Sequence, residues 1–206
     1  SSPPVEYYGF HKVYPNEGTN SQGESPSGSA APPSSAGTAA GTATGTAVTT
    51  KIVADIAQLI LLEEKARLAS DAFLKSAATY ATWQAAKLAY EQAATQLTST
   101  LESWGSSVVS QAGYQTGQGP VNGTAIHKVL ENAVANLNIP NVDVEYKLNI
   151  PGGTWFELDL SINVRKQPIY ILDWKSGSAS LSPTRVQEIR DSLQNPDIPI
   201  HQGRIQ

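Results

Sequence analysis

Hydrophobic and polar positions follow two different rhythms along this chain, and the change from one to the other divides it. Between Gly45 and Gly105 there is neither glycine nor proline, and Ala, Leu, Gln, Glu and Lys dominate. Trp83, Tyr90, Leu97 and Trp104 recur at seven-residue intervals with Tyr80, Ala94 and Leu101 beside them, an apolar stripe at helical period. The spacing predicts helix over 47–104. It is either one rod of about 75 Å or a hairpin that breaks near Leu68 to Ala77, where the stripe loses phase.

After Val121 the rhythm changes. GTAIHKVLENAVANL places Ile126, Val129, Leu130 and Val134 on one helical face, with Thr124 as candidate N-cap and Asn138 and Pro140 as stops. VDVEYKLNI then alternates at period two, and Pro151-Gly152-Gly153 turns the chain. In TWFELDLSINVRKQPIYILDWKSG two apolar, aromatic-rich segments are parted by the polar break Asn163 to Pro168, the pattern of two neighbouring strands. Ser182-Pro183 opens a last helix through Leu193, with Pro in the first turn where its missing N–H costs nothing. IPIHQGRIQ supplies an edge strand. The order helix, strand, strand, strand, helix, strand predicts an α/β (α+β) fold, a mixed sheet flanked by helices and preceded by a long helix or helical hairpin.

Composition adds the domain map. Residues 1–15 carry Tyr7, Tyr8, Phe10 and Tyr14 and read as an aromatic arm. Residues 16–46 are mostly Gly, Ser, Ala, Thr and Pro with hardly a large apolar side chain, a composition that cannot offset the entropy of ordering and predicts a flexible linker. Residues 105–120 read as a second linker, and 121–206 as the folded domain. The opening Ser1 to Pro4 resembles the middle of a linker, as expected of a piece of a longer polypeptide. There is no cysteine among the 206 residues, which excludes disulfides and thiolate metal sites. The apolar run Ile52 to Leu62 is interrupted by Asp55 and Gln58 and reads as too short to span a bilayer. Net charge is −4, and from Pro120 onward eight Lys and Arg face nine Asp and Glu. That balance is weak for a nucleic-acid ligand, unless several of the acids hold a cation.

The candidate chemistry lies in the two aromatic-rich strands. Alternation projects Asp173 and Lys175 from one face with Trp174 on the other, and pairing of the strands brings Asp159 alongside. Two carboxylates and an amine suit phosphodiester hydrolysis with a hard divalent cation, which takes oxygen ligands and keeps several waters. Asp159 and Asp173 are the expected ligands, with the Trp174 carbonyl, and Lys175 the group that orients or deprotonates water. Glu131, on the preceding helix, is expected to hold a metal-bound water or a second ion. A surface ion pair between Asp173 and Lys175 is the plain alternative, and Glu157 reads as a solvated neighbour of Asp159. His127, one turn before Glu131, shares its face and is either a phosphate-binding group or a surface histidine. Arg185 and Arg190 on the last helix either form helix ion pairs or touch a nucleic-acid backbone.

With G-x-x-x-H-x-x-L-E at Gly123 to Glu131, E-x-D at Glu157 to Asp159 and L-D-W-K-S-G at Leu172 to Gly177, the chain resembles the PD-(D/E)xK nuclease superfamily over about Gly123 to Leu193, most closely its toxin-type members. Leu158 stands where the superfamily's name has proline. The resemblance implies a restriction-endonuclease-like fold and Mg²⁺- or Mn²⁺-dependent cleavage of nucleic acid, DNA before RNA. It further implies a C-terminal toxin joined to a secretion carrier, delivered into the cytoplasm of a target cell and restrained by a cognate immunity protein, with no membrane partner. A repair or recombination nuclease, and a non-catalytic adaptor whose helical region binds a partner, are the alternatives.

Overall fold

The computed structural model describes residues 39–150 and 152–206. Four helices and four strands follow in the order α1 (Ala39–Leu74), α2 (Tyr80–Gln111), α3 (Pro120–Leu137), β1 (Val142–Ile150), β2 (Thr154–Val164), β3 (Gln167–Ser176), α4 (Pro183–Leu193) and β4 (Ile200–Ile205). The strands form one sheet in sequence order, antiparallel from β1 to β3 and parallel between β3 and β4. The fold is therefore mixed α/β, as the two rhythms predict. The aromatic arm and most of the 16–46 stretch lie outside the described residues.

The helical region is a hairpin. It breaks at residues 75–79, at the end of the predicted window, where Ser76 adopts φ 57° and Thr79 caps α2 by accepting the Thr82 N–H at 3.2 Å. Helix bounds differ from expectation at three places. α1 takes in residues 39–46, read as linker from composition alone. α2 runs through Gly105 to Gln111, so 105–111 is helix and not loop. α3 starts at Pro120, with Gly119 at the N-cap (φ 90°), and Thr124 lies inside it. The span Gly45–Leu74 is also long and apolar enough to cross a membrane by length and composition, which corrects the estimate from Ile52 to Leu62 alone. Here its Ile52, Ile56, Leu59 and Ala66 are buried in the protein core, and buried Glu63 pairs with Arg165 at 3.2 Å.

One face of the sheet meets the helices. Leu160, Ile162, Tyr170, Leu172 and Trp174 share a core with Trp83, Tyr90, Leu97, Leu101 and Val109 of α2 and Ile126, Leu130 and Val134 of α3. A smaller cluster joins Leu148, Leu158 and Ile171 to Ile189 of α4 and Ile198. Polar ties reinforce the first contact: Tyr90 donates its hydroxyl to the Ile169 carbonyl, the Thr98 and Tyr170 hydroxyls are 2.6 Å apart, and the Arg204 N–H donates to Glu102 Oε2 at 2.7 Å.

β2 and β3 are joined by a tighter turn than the polar break suggested. Only Arg165 and Lys166 lie between them, both in the left-handed region (φ 53° and 61°), the conformation that matches the twist of two-residue hairpins. From that turn the ladder runs as far as the pair Leu160 and Leu172, and there it stops although both strands continue. On the other side of β2 the ladder with β1 omits the pair Glu145 and Asp159, and Glu145 has φ 56°. The sheet is thus interrupted on both sides of Asp159.

Candidate active site

The opening between β2 and β3 holds the acids that the sequence singles out. Asp159 uses its side chain where the ladder would have continued: Oδ2 accepts the Trp174 backbone N–H at 2.7 Å. The same oxygen lies 3.4 Å from His127 Nδ1 on α3. Asp173 stands next to it, with Lys175 Nζ 2.5 Å from its Oδ2. That oxygen is buried and, beyond this ion pair, has no hydrogen-bond partner. Trp174 turns the other way into the core, fully buried. Strand alternation therefore does here what the sequence predicts, placing Asp173 and Lys175 together and the indole behind them.

Electrostatics follow from this crowding. Burial pushes the Asp173 carboxyl above its ordinary pKa; Lys175 draws it down, and the neighbouring Asp159 carboxylate pushes it up again. The hydrogen bond that His127 donates to Asp159 raises the His127 pKa, against the effect of burial and with help from the charges of Asp159 and Asp173. The site thus has an excess of negative charge that one lysine does not remove.

Glu131 is not among these groups. It faces Lys128, 3.1 Å from Nζ, which also pairs with Glu145 at 3.2 Å. Burial raises the Glu131 pKa, while Lys128 lowers that of Glu145. His127 and Glu131 are four residues apart on one helix face, and it is the histidine that reaches the strand opening. Arg185 pairs with Glu188 at 3.1 Å and lies over the Phe156 ring, 4.7 Å from its centroid. Arg190 donates to the Ile198 carbonyl at 3.3 Å, tying α4 to the segment before β4. Neither arginine has a contact with Asp159, Asp173 or Lys175 among these.

Sequence reasoning missed the groups that fix the loop after Lys175. Arg204 donates to the carbonyls of Gly177 and Ala179 at 3.0 and 2.7 Å, and Gln202 accepts the Leu181 N–H at 3.0 Å. Their only signal was a place on the terminal strand, whose parallel register sets Gln202 beside Asp173 and Arg204 beside Lys175.

Among the described residues no three His, Asp or Glu side chains are grouped so as to hold a metal by themselves. Two adjacent carboxylates, one of them paired with Lys175, still match the donor chemistry of a hard cation, which takes one or two carboxylates and completes its shell with water and phosphate. Asp159, Asp173 and the Trp174 carbonyl are the groups that fit. Comparison of the chain with known protein families, curated proteins and solved structures finds no match.

Proposed function

We propose that the chain is a metal-dependent nuclease, cutting DNA in preference to RNA. The observation that carries this reading is the meeting of Asp159, Asp173, Lys175 and His127 where β2 and β3 part. Asp159 and Asp173, with the Trp174 carbonyl, hold Mg²⁺ or Mn²⁺, which supplies activation of water and neutralisation of charge at the phosphate. Lys175, held by Asp173, is placed to donate to a phosphate oxygen or to orient the attacking water. The His127 imidazole keeps Asp159 aimed at the opening and adds a donor beside the phosphate. His127, Lys175 and Asp173 keep 32 %, 20 % and 23 % side-chain exposure, the surface a polymer backbone would meet. Within this reading Glu131 supports the helix that carries His127 and is not a ligand.

The finer assignment is to a restriction-endonuclease-like toxin domain of a secreted effector, joined to a carrier, bound by an immunity protein and acting in the cytoplasm of a target cell. It rests on the motifs at Gly123 to Glu131, Glu157 to Asp159 and Leu172 to Gly177. The test is cleavage of supercoiled plasmid with Mg²⁺ or Mn²⁺ against EDTA. Asp173→Ala and Lys175→Ala are expected to lower the rate at least about a hundredfold with unchanged far-UV circular dichroism. A wild-type rate from either purified variant rejects the assignment.

A further inference from the structure

Beyond the point where β2 leaves β3, the β1–β2 hairpin continues alone past the acids. Trp155 and Glu157 project to one side of β2, while Phe156 and Leu158 project to the other and pack towards α4; Asp159 ends this alternation, since Leu160 and Ile162 pack on the side of α2 and α3. Asp159 itself meets α3 through His127, and Glu145, its opposite number on β1, contacts Lys128. Trp155 stands four residues from Asp159, or about 13 Å along the strand. At 57 % exposure it is far more open than Trp83 and Trp174, which are both buried. Lys147 Nζ lies over its ring, 5.1 Å from the centroid, and is 4.0 Å from Glu157.

An indole more than half in water near the start of a strand contributes little burial to the fold. A large aromatic face with a cation on it, about 13 Å along β2 from Asp159, has the two elements of a single-strand platform: a surface on which a base stacks and a positive group for the backbone beside it. The ion pair of Lys147 with Glu157 is long and exposed, so an arriving phosphate can draw the lysine away at small cost. A duplex keeps its bases stacked on one another and offers the indole no face, whereas an unpaired nucleotide does.

We infer that Trp155, backed by Lys147, is a stacking platform for an unpaired base of the strand being cut, so that the nuclease takes single-stranded or frayed substrate. This deepens the proposed function and rests on it for the word cut, but the platform itself is a binding site that can be read without catalysis. The probe is a fluorescein-labelled oligo(dT) in EDTA, with affinity from anisotropy and the site from intrinsic tryptophan fluorescence, in the full chain. Oligo(dT) is expected to quench the wild-type emission. Trp155→Ala is expected to bind roughly tenfold or more weakly, and Trp155→Phe, which keeps a ring, close to wild type but without the quench. Lys147→Ala weakens binding and lowers its salt dependence. Asp173→Asn still binds and does not cleave.

The outcomes separate the two claims. If Mg²⁺-dependent cleavage is found but Trp155→Ala binds and cuts oligo(dT) as wild type does, the platform is wrong and the nuclease reading stands. If oligo(dT) quenches Trp155 and no nucleic acid is cut, the platform stands and the catalytic reading fails. Tighter binding of a blunt duplex than of oligo(dT), or no quench with either, overturns the platform.

Discussion

Asp173 sits half-buried beside a second carboxylate, and its titration gives a test that needs no substrate. Its folded pKa lies above the ordinary carboxylate value because burial and Asp159 together outweigh Lys175. The native state then binds this proton more tightly than the unfolded chain, so stability falls as pH rises from the ordinary carboxylate range through the folded pKa. His127 acts in the same direction: its raised pKa contributes stability that is full below about 6.5 and is lost as pH rises through the folded value. In EDTA, Asp173→Asn is therefore expected to melt above wild type at pH 7 to 8, with the difference closing as pH approaches about 4. Mg²⁺ bound only by the native wild type narrows the gap by mass action, by about 3 kcal/mol at a hundredfold excess over its dissociation constant. Calorimetry at several pH values, with and without EDTA, measures both. Equal melting of the two proteins at pH 8 in EDTA refutes the charge crowding. The placing of Asp173 and Lys175 on one side of β3 was legible because alternation holds along that strand, whereas Asp159 comes beside them at an interruption of β2 that the sequence does not show. The choice between His127 and Glu131 was not legible either, because residues four apart share a helix face and only the tertiary partners, here Lys128 and Glu145, decide which one reaches the strands.

Most elements were legible from period and punctuation. β1, the α4 start at Ser182-Pro183 and the stop of α3 at Asn138 are where turn and capping chemistry put them. The misreading that mattered was Gly105, taken as a helix end because isolated glycine is unfavourable in helix. The fold uses it for close approach instead: a Cβ there would stand 3.0 Å from Ile205 Cδ1, 3.1 Å from Trp174 Cζ3 and 3.2 Å from Leu130 Cδ2. Sequence does not show which of two reasons a glycine serves. Gly203 on β4 serves the same purpose more strictly, since a Cβ would fall 2.6 Å from Trp174 Cε3 and 2.8 Å from Cζ3. That ring is fully buried and has no room to turn aside. Gly203→Ala is expected to cost about 1–3 kcal/mol in chemical denaturation and to lower cleavage, because the displaced indole belongs to the residue between Asp173 and Lys175. At Gly105 the contacts are longer and two are ends of flexible side chains, while alanine gains about 1 kcal/mol of helix propensity. Gly105→Ala should then lie within about 1 kcal/mol of wild type. Similar losses at both positions would mean that Trp174 is not the barrier.

At the scale of the whole molecule the question is whether the strands and α3 form a domain without the helical hairpin. Composition places a boundary near 120, since Gly, Ser and Gln crowd that stretch. The packing joins what composition separates, because Leu160, Ile162, Tyr170, Leu172 and Trp174 share one buried core with Ile52, Ile56 and Leu59 of α1 and Trp83, Tyr90, Leu97 and Leu101 of α2, as well as with α3. Exposing five such side chains at about 1.5–3 kcal/mol each forfeits on the order of 10 kcal/mol, which is the whole stability of an ordinary domain. The polar ties deepen the dependence: without α2 the Ile169 carbonyl loses the Tyr90 hydroxyl, and the Arg204 N–H loses Glu102. Lys87 and Asp197, 3.3 Å apart, would part as well. A fragment of residues 120–206 is therefore expected to lack a cooperative melting transition, to bind a hydrophobic dye and to cleave nothing, while residues 39–206 melt in one transition. The helical hairpin added in trans should restore the transition if its role is to cover the sheet. A cooperative, active 120–206 fragment would show that the sheet supports its own core and that the hairpin is an appendage.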